Sequence, residues 1–452
     1  MQRTLYWVTK DLRISDNLAL ELASQSEQLI CVAVIDPEWF KINQQQAIPL
    51  GKKRFNFLLQ GLQALNKSLH KLGQQLHIIN GNTVNTLNAI CDQFDITDLV
   101  VTKRPGAYER DIISNIQHKK PQLNLHQVQQ FTLFTEKMLP FSLAELPASY
   151  SKFRKVVADI TANSPATATY HLPPQFSQPI AECHDYWNEG VTKKIILEDT
   201  ENQHQQRGYE FTGGEQAGFE HLQQYFSSLA PARYKEVRNK LDGWDNSSKL
   251  SAWINYGFIS VKQVMNCINE FEQLHGKNAS TESLYHEILW REYFQWLHYK
   301  VQDKLYHFKG LAPSAPLTSF YPERFKKWCT ASTPFPLVNA CMTELFETGY
   351  LSNRGRQIVA SCLVNELSID WRYGAAWFEQ HLIDYDAAIN WGNWQYIAGV
   401  GVDPRGGRHF NLKKQTQIHD PDGEYQTTWA GHHNHQTDSP LDSVSADDWP
   451  VK

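Results

Sequence analysis

Short runs of β-branched apolar residues alternate with longer stretches of helical periodicity through the first 130 residues, and beyond that the alternation stops. Candidate strands fall at 4–8, 29–35, 76–80, 98–102 and 123–128, with amphipathic stretches at 53–72 and 85–94 between them. Strands this uniformly apolar are buried on both faces, so the pattern predicts βαβ units and a doubly wound parallel sheet. A dinucleotide site in such a sheet shows itself by glycines after the first strand. Here that turn reads Thr9-Lys10-Asp11-Leu12-Arg13 and has none. The α/β domain, 1–130, is thus expected not to be a standard dinucleotide binder.

From about 131 to 210 the pattern breaks into Pro, Ser, Thr and Gln, and Pro140, Pro147, Pro165, Pro173, Pro174 and Pro179 forbid long helices. This is far longer than an ordinary loop, so a connector wrapping over a domain surface is expected. After Phe211-Thr-Gly-Gly the period turns helical to about residue 395, clearest at 215–227, 260–274, 281–305, 338–349, 356–367 and 374–383. No strands interleave, so the second domain, 211–423, reads as all-α. Residues 424–452, polar and rich in Pro, Asp and His, read as a disordered acidic tail, with His432, His433 and His435 solvated rather than metal-bound.

Several classes are excluded early. Arg3, Lys10, Asp11 and Arg13 interrupt any signal-peptide core, and no run approaches the apolar length of a membrane span, which points to the cytoplasm. The seven cysteines are scattered singly with no CxxC, a pattern of reduced thiols that leaves no metal site expected. A net charge of −5 argues against a nucleic-acid partner until its distribution is considered. Residues 415–452 carry seven acids and one base, which leaves the rest of the chain at +1. Within that body, 290–330 holds seven bases against three acids.

Three constellations carry chemistry. Ser247, Ser248, Lys249, Leu250 and Ser251 precede an apolar helical stretch, where hydroxyls beside unpaired N–H groups suit a phosphate, though serines also serve as ordinary N-caps. Tyr234, just upstream, is a further candidate phosphate contact. Glu287, Trp290 and Arg291 stand at i, i+3 and i+4, so one helix face presents a carboxylate, an aromatic plane and a guanidinium. That face suits a flat π ligand, and equally an amphipathic helix with a surface ion pair. The densest set runs through Asn353, Arg356, Asp370-Trp371-Arg372, Asp384, Asp386 and Asn390-Trp391-Gly392-Asn393-Trp394-Gln395-Tyr396. So many polar groups in an apolar helical setting require ion pairs or a ligand.

Taken together, YKEVRNK, SSKLS, WREYF, SNRGRQ, IDW, LIDYD and NWGNWQYIAGVG resemble the photolyase/cryptochrome family, specifically its DASH branch. The resemblance runs from DLRISDN at residue 11 to RGGRHFNLKKQ ending at 415. It implies FAD bound in the helical domain, with Tyr234 and residues 247–251 at the diphosphate and Arg291, Arg356, Asp384, Asp386 and Asn390 around the flavin and adenine. An Arg356–Asp384 pair would favour the anionic reduced flavin, and Asn390 would tune its redox states near N5 without adding charge. Glu287, Trp290, Asn353 and Tyr396 match the lesion pocket, Tyr396 standing where ordinary dimer photolyases have Trp. The implied activity is blue-light-driven splitting of cyclobutane pyrimidine dimers by an electron from excited reduced FAD, chiefly in single-stranded DNA, by a monomer. The alternative within the family is a blue-light photoreceptor with little or no repair. Nucleic-acid binding without photochemistry is a third reading.

Trp394 and Trp371 match the inner two of the family's three electron-transfer tryptophans, but 317–321, where the third is expected, has only Phe320 and Tyr321, of which Tyr321 alone is a candidate hopping site. Asn339 and Thr343 stand where the family usually has Asp and Arg, and Ala252 where it has Pro. Methenyltetrahydrofolate is the expected antenna at the α/β domain, with Glu109 a candidate contact.

Overall fold

A computed structural model of the chain describes residues 2–160, 211–402 and 406–429. Five strands, β1 Arg3–Trp7, β2 Gln28–Ile35, β3 Leu76–Asn80, β4 Asp98–Thr102 and β5 Asn124–Val128, form one sheet in the order β3-β2-β1-β4-β5, every pair parallel. The helices of this domain are α1 Leu18–Ala23, α2 Lys52–Lys71, α3 Thr83–Gln93 and α4 Ala107–Lys119. α4 is one the periodicity missed. Leu5, Trp7, Val32 and Leu99 pack against Leu87, Ile112 and Ile116 on one face, while Tyr6, Cys31 and Val100 face α2 and the helical domain.

The glycine-free turn after β1 is filled by a carboxylate. Asp11, 1% exposed, accepts from Tyr6 Oη at 2.6 Å, Thr102 Oγ1 at 2.5 Å and its own turn's Thr9 N–H at 2.9 Å. The place a pyrophosphate takes in a dinucleotide fold is thus occupied by the chain's own charge.

In the connector, α5 Tyr150–Val156 lies within the stretch read as proline-broken. Its approach is clamped by Glu292, fully buried, which accepts from the N–H groups of Leu133 (2.7 Å) and Phe134 (3.0 Å) and from Trp296 Nε1 (2.7 Å). Leu133 and Phe134 are thus fixed to the segment that carries Glu292, and Pro165 to Pro179 lie outside the described residues.

The helical part comprises α6 Glu215–Ser227, α7 Ala230–Val237, α8 Ser251–Tyr256, α9 Val261–His275, α10 Ala279–Val301, α11 Pro322–Cys329, α12 Pro336–Thr348, α13 Asn353–Ser361, α14 Trp371–His381, α15 Ala387–Ala398, α16 Leu412–His419 and α17 Glu424–Trp429. α10 stops before the expected 305 because Gln302 turns left-handed (φ 48°), and the chain goes on as a 3₁₀ turn to Tyr306. α13 gives way at Cys362 to a π turn through Glu366.

The tail expectation needs correcting at its start. Residues 424–429 form α17, whose Tyr425 and Trp429 are buried against the core holding Leu345, Trp371 and Trp394. Two aromatics in a polar stretch were enough to dock it. His432, His433 and His435 lie outside the described residues. Among those described, no helix is long and apolar enough to cross a membrane, and no cluster of His, Cys, Asp and Glu has the makings of a metal site.

Candidate functional site: a cavity in the helical domain

One cavity of about 420 Å³ opens into the helical domain, and every sequence-derived site residue except Trp371 lines it. Its floor is charged. Arg356 Nη2 meets both carboxylate oxygens of Asp384 at 3.0 Å, and its Nε donates to Leu351 O at 2.7 Å. Asp384 also accepts from Ser251 Oγ at 2.6 Å, while Asn255 donates to its backbone carbonyl. The guanidinium is therefore held flat against the cavity and keeps its charge.

Asp386 does two jobs. It caps α15, accepting from Ile389 N–H at 3.1 Å, and it accepts from Gln295 Nε2 at 2.7 Å. Burial penalises its charge, but Arg104, Arg291 and Lys10 outweigh that and hold its carboxyl below the usual range. Arg104, from the loop after β4, pairs with it at 3.4 Å and ties the sheet domain to the site. Asn390, one turn further, donates Nδ2 to Ala375 O at 2.9 Å, which fixes its amide plane at the wall.

Arg291 does not pair with Glu287, as its helical spacing allowed. Its Nη1 donates to Phe131 O at 3.0 Å and its plane lies 4.3 Å over the Phe131 ring, while Nε and Nη2 are buried without a partner among the described residues. Buried orphan donors cost free energy unless a ligand meets them.

The serine run sits at the other end. α8 begins with Leu250 as N-cap and has no side-chain cap hydrogen bond, so capping does not explain these serines. Ser247 Oγ accepts from Lys249 N–H at 3.3 Å, and Ser248 offers its carbonyl to His221 at 2.7 Å. Lys249 takes a left-handed backbone (φ 54°), a strained state for a side-chain residue, with its ammonium 4.6 Å over the Tyr350 ring. Tyr234 lines the adjoining wall.

The remaining four residues stand apart from that floor. Glu287 turns to Arg238, forming an ion pair across to α7. Burial raises the Glu287 carboxyl, and Arg238 counters it. Trp290 is stacked on Tyr150 at 3.7 Å and 14°, and lies 5.6 Å from Phe294 at 27°, so part of the aromatic plane the spacing promised is already covered. Tyr396 is held by Arg408, whose guanidinium both donates to its hydroxyl and lies 4.9 Å over its ring. Asn353 is exposed at the start of α13.

Trp394 is buried 5.1 Å from Phe378 and 6.3 Å from Trp328. Trp371, fully buried behind the cavity, donates Nε1 to Phe308 O at 3.0 Å and meets Trp391 at 5.7 Å. Phe320 stacks on Tyr373 at 4.0 Å, and Tyr321 is exposed under Arg324.

Three side chains that hold candidate site residues were not singled out from the sequence: Arg238, Arg408 and Tyr150. The first two sat inside quoted motifs, YKEVRNK and RGGRHF, while Tyr150 lies in the connector and carries no periodic signal. The basic stretch 290–330 is not what makes the cavity positive. Arg291 is its one member there, and Lys300 and Arg324 donate to Leu146 O and Leu367 O; Arg238, Lys240, Lys249 and Arg356 supply the rest.

The residues fit an anionic ligand with flat rings: orphan guanidinium donors, serines that cap no helix and an ion-paired floor. Comparison with known proteins agrees. Residues 283–444 match the FAD binding domain of DNA photolyase, and residues 4–173 match the DNA photolyase domain. Cryptochrome DASH of Idiomarina loihiensis is 44% identical over 99% of this chain and 96% of its own, and that of Vibrio parahaemolyticus 40% over 99% and 97%. The crystal structure of a Synechocystis cryptochrome superposes with a TM-score of 0.86 at 34% identity, covering 95% of this chain and 88% of its own. A sheet domain tied by Arg104 to a helical cavity built for FAD, matched end to end by such relatives, places the chain in the photolyase/cryptochrome family, among the DASH cryptochromes.

Proposed function

We propose that this protein is a cytoplasmic, FAD-dependent photolyase that splits cyclobutane pyrimidine dimers under blue light, with single-stranded DNA as its preferred substrate. The observation that carries this is that one cavity is lined by both groups of side chains the reading needs. Arg356–Asp384, Arg291 and Asn390 surround the part suited to the flavin, while Glu287, Trp290, Asn353 and Tyr396 form a second set without that ion-paired floor. FAD, when bound and reduced, supplies the light-driven electron that opens the dimer. The chain's own residues do the rest.

Residues 247–251 and Tyr234 would hold the diphosphate through hydroxyls and main-chain N–H groups. Arg356, kept charged by Asp384, would favour the reduced cofactor by local positive potential. Asn390 would orient the ring edge with an amide that adds no charge. Tyr396 and the free edge of Trp290 would pack on an extruded dimer, and Glu287 would accept hydrogen bonds from its base edges. Burial raises the Glu287 carboxyl, and the ion pair with Arg238 counters that rise and fixes where the carboxyl points. Preference for single strands follows from cost: a dimer in a loose strand needs no unstacking. Methenyltetrahydrofolate remains the proposed antenna, and Glu109, in the first turn of α4, its candidate contact.

Glu287→Gln tests the assignment. It should retain FAD but lower light-driven repair roughly tenfold or more, the worth of a charge-assisted hydrogen bond. Unchanged repair at equal flavin content would remove Glu287 from the lesion pocket.

A further inference from the structure

We propose that Tyr306 is the outer end of the hole-transfer chain that reduces the flavin, and that His298 accepts its phenolic proton. This rests on reading Trp394 and Trp371 as the inner links, which leaves the outer link without a tryptophan at 317–321.

The rings supply a path. Trp391, one turn before Trp394 on α15, meets Trp371 at 5.7 Å and Tyr306 at 5.0 Å, both edge to face. Tyr306 is half-buried in the 3₁₀ turn after α10, with Lys304 and His307 beside it exposed, so it stands between the buried tryptophans and solvent. Its hydroxyl lies 3.1 Å from Nε2 of His298, one ring in T-shaped contact with the other at 5.6 Å. Oxidising a phenol requires somewhere for its proton to go, and this is a fixed acceptor. His298 is fully buried, and its Nδ1 has no partner among the described residues. Burial lowers its pKa to about 4, so the ring is neutral and ready at physiological pH. Asp386 and Asp303 favour the imidazolium that would form, and Arg104 and Arg110 oppose it.

A second ring beside Trp394 leads nowhere. Trp328 lies 6.3 Å from it, but Trp328's further ring neighbours are Phe325 at 6.1 Å and Phe378 at 6.3 Å, which do not oxidise. Among the described residues, Trp328 reaches Tyr373 and Trp377 only across Phe325.

FAD, when bound and oxidised, would supply the light-driven acceptor; Trp394 would give up one electron to it, and the hole would pass through Trp371 and Trp391. Tyr306 gives one electron to Trp391, its O–H bond breaks, and the proton goes to His298 Nε2, leaving a neutral tyrosyl radical. A thiolate from solvent then supplies one electron, becoming a thiyl radical, and Tyr306 takes its proton back from His298.

Flash photolysis with electron paramagnetic resonance on the FAD-loaded protein tests this, with flavin content and melting temperature confirming folding in each variant. Wild type should end on a neutral tyrosyl radical whose appearance slows in D₂O and in His298→Phe. Tyr306→Phe should lose that signal and recombine about tenfold faster, a one-decade rate change, while Tyr306→Trp restores long-lived charge separation as a tryptophanyl radical. Trp328→Phe should change nothing. A tyrosyl signal that survives Tyr306→Phe, or that disappears in Trp328→Phe, overturns the proposal. A wild type whose photoreduction ends on tryptophan overturns this inference alone, whereas a wild type with no photoreduction overturns it together with the roles of Trp394 and Trp371.

Discussion

At the scale of single residues, the departures from the family pattern are the informative ones. Asn339 and Thr343, in place of Asp and Arg, form a closed local knot. Asn339 Oδ1 accepts from Thr333 N–H (2.9 Å) and Oγ1 (2.6 Å), its Nδ2 donates to Thr333 O (2.7 Å), and Thr343 Oγ1 donates back to Asn339 O (3.0 Å). These are neutral hydrogen bonds in a buried place, with no polar atom of Asn339 or Thr343 left unsatisfied. Gly374 is required for a different reason. A Cβ there would meet the Trp394 ring at 2.2 Å, and a rigid indole cannot give way. Gly374→Ala should therefore cost about 1–3 kcal/mol by overpacking and change flavin photoreduction by shifting Trp394. A melting temperature and a photoreduction rate both equal to wild type would contradict that. The reach of sequence reasoning is also set at this scale. The Arg356–Asp384 pair was expected from the family resemblance, the residues alone saying only that so many polar groups need ion pairs or a ligand. The Glu287–Arg238 pair was not, since i,i+4 spacing offered Arg291 as a nearer partner and only the packing of α7 on α10 decides between them.

At the scale of elements, the parallel strands were legible almost to the residue, because runs buried on both faces leave little ambiguity. Leu76–Asn80 and Asp98–Thr102 are the clearest cases. Short helices were not. α5 and α17 are seven and six residues long, too short for a period to register, and each is held by a few aromatic contacts. α17 carries a pH dependence with it. Tyr425 donates to Glu344 Oε2, Glu344 is fully buried, and burial, reinforced by Asp242, raises its carboxyl to about 8 despite that bond. A carboxyl whose folded pKa lies above its unfolded value of 4.5 is protonated more readily in the native state. Its stabilising contribution is complete below pH 4.5 and is lost as pH rises to about 8. Glu344→Gln should flatten the fall in stability across that window, measured by denaturant unfolding at several pH values. An unchanged slope would show that Glu344 is not the group responsible.

At the scale of the whole molecule, the sheet and the helical domain are parts of one site. Arg104 reaches Asp386, Arg13 Nη1 donates to Gly257 O at 3.0 Å, and Glu215 accepts from the N–H groups of Ile14 and Ser15, both at 2.8 Å. Gly257 is left-handed (φ 69°) with the Lys10 carbonyl where a Cβ would be, so a side chain there would part the two domains. Arg104→Ala should leave Asp386 with less support, lower flavin retention and weaken interdomain packing, visible as a lower melting temperature of the FAD-loaded protein; equal retention and melting would contradict that. None of this was legible in the sequence, because the glycine-free turn after β1 said only what was absent, while Lys10 and Arg13 take their meaning from Gly257, over two hundred residues away. The central claim, that this cavity repairs dimers in unpaired DNA, is tested most directly by exposing the reduced, FAD-loaded protein to blue light with the same dimer-containing oligonucleotide, single-stranded and annealed. The account predicts light-dependent restoration of the single strand, much slower restoration of the duplex and none in the dark. Reduced, flavin-replete protein that leaves the single strand unrepaired would contradict it.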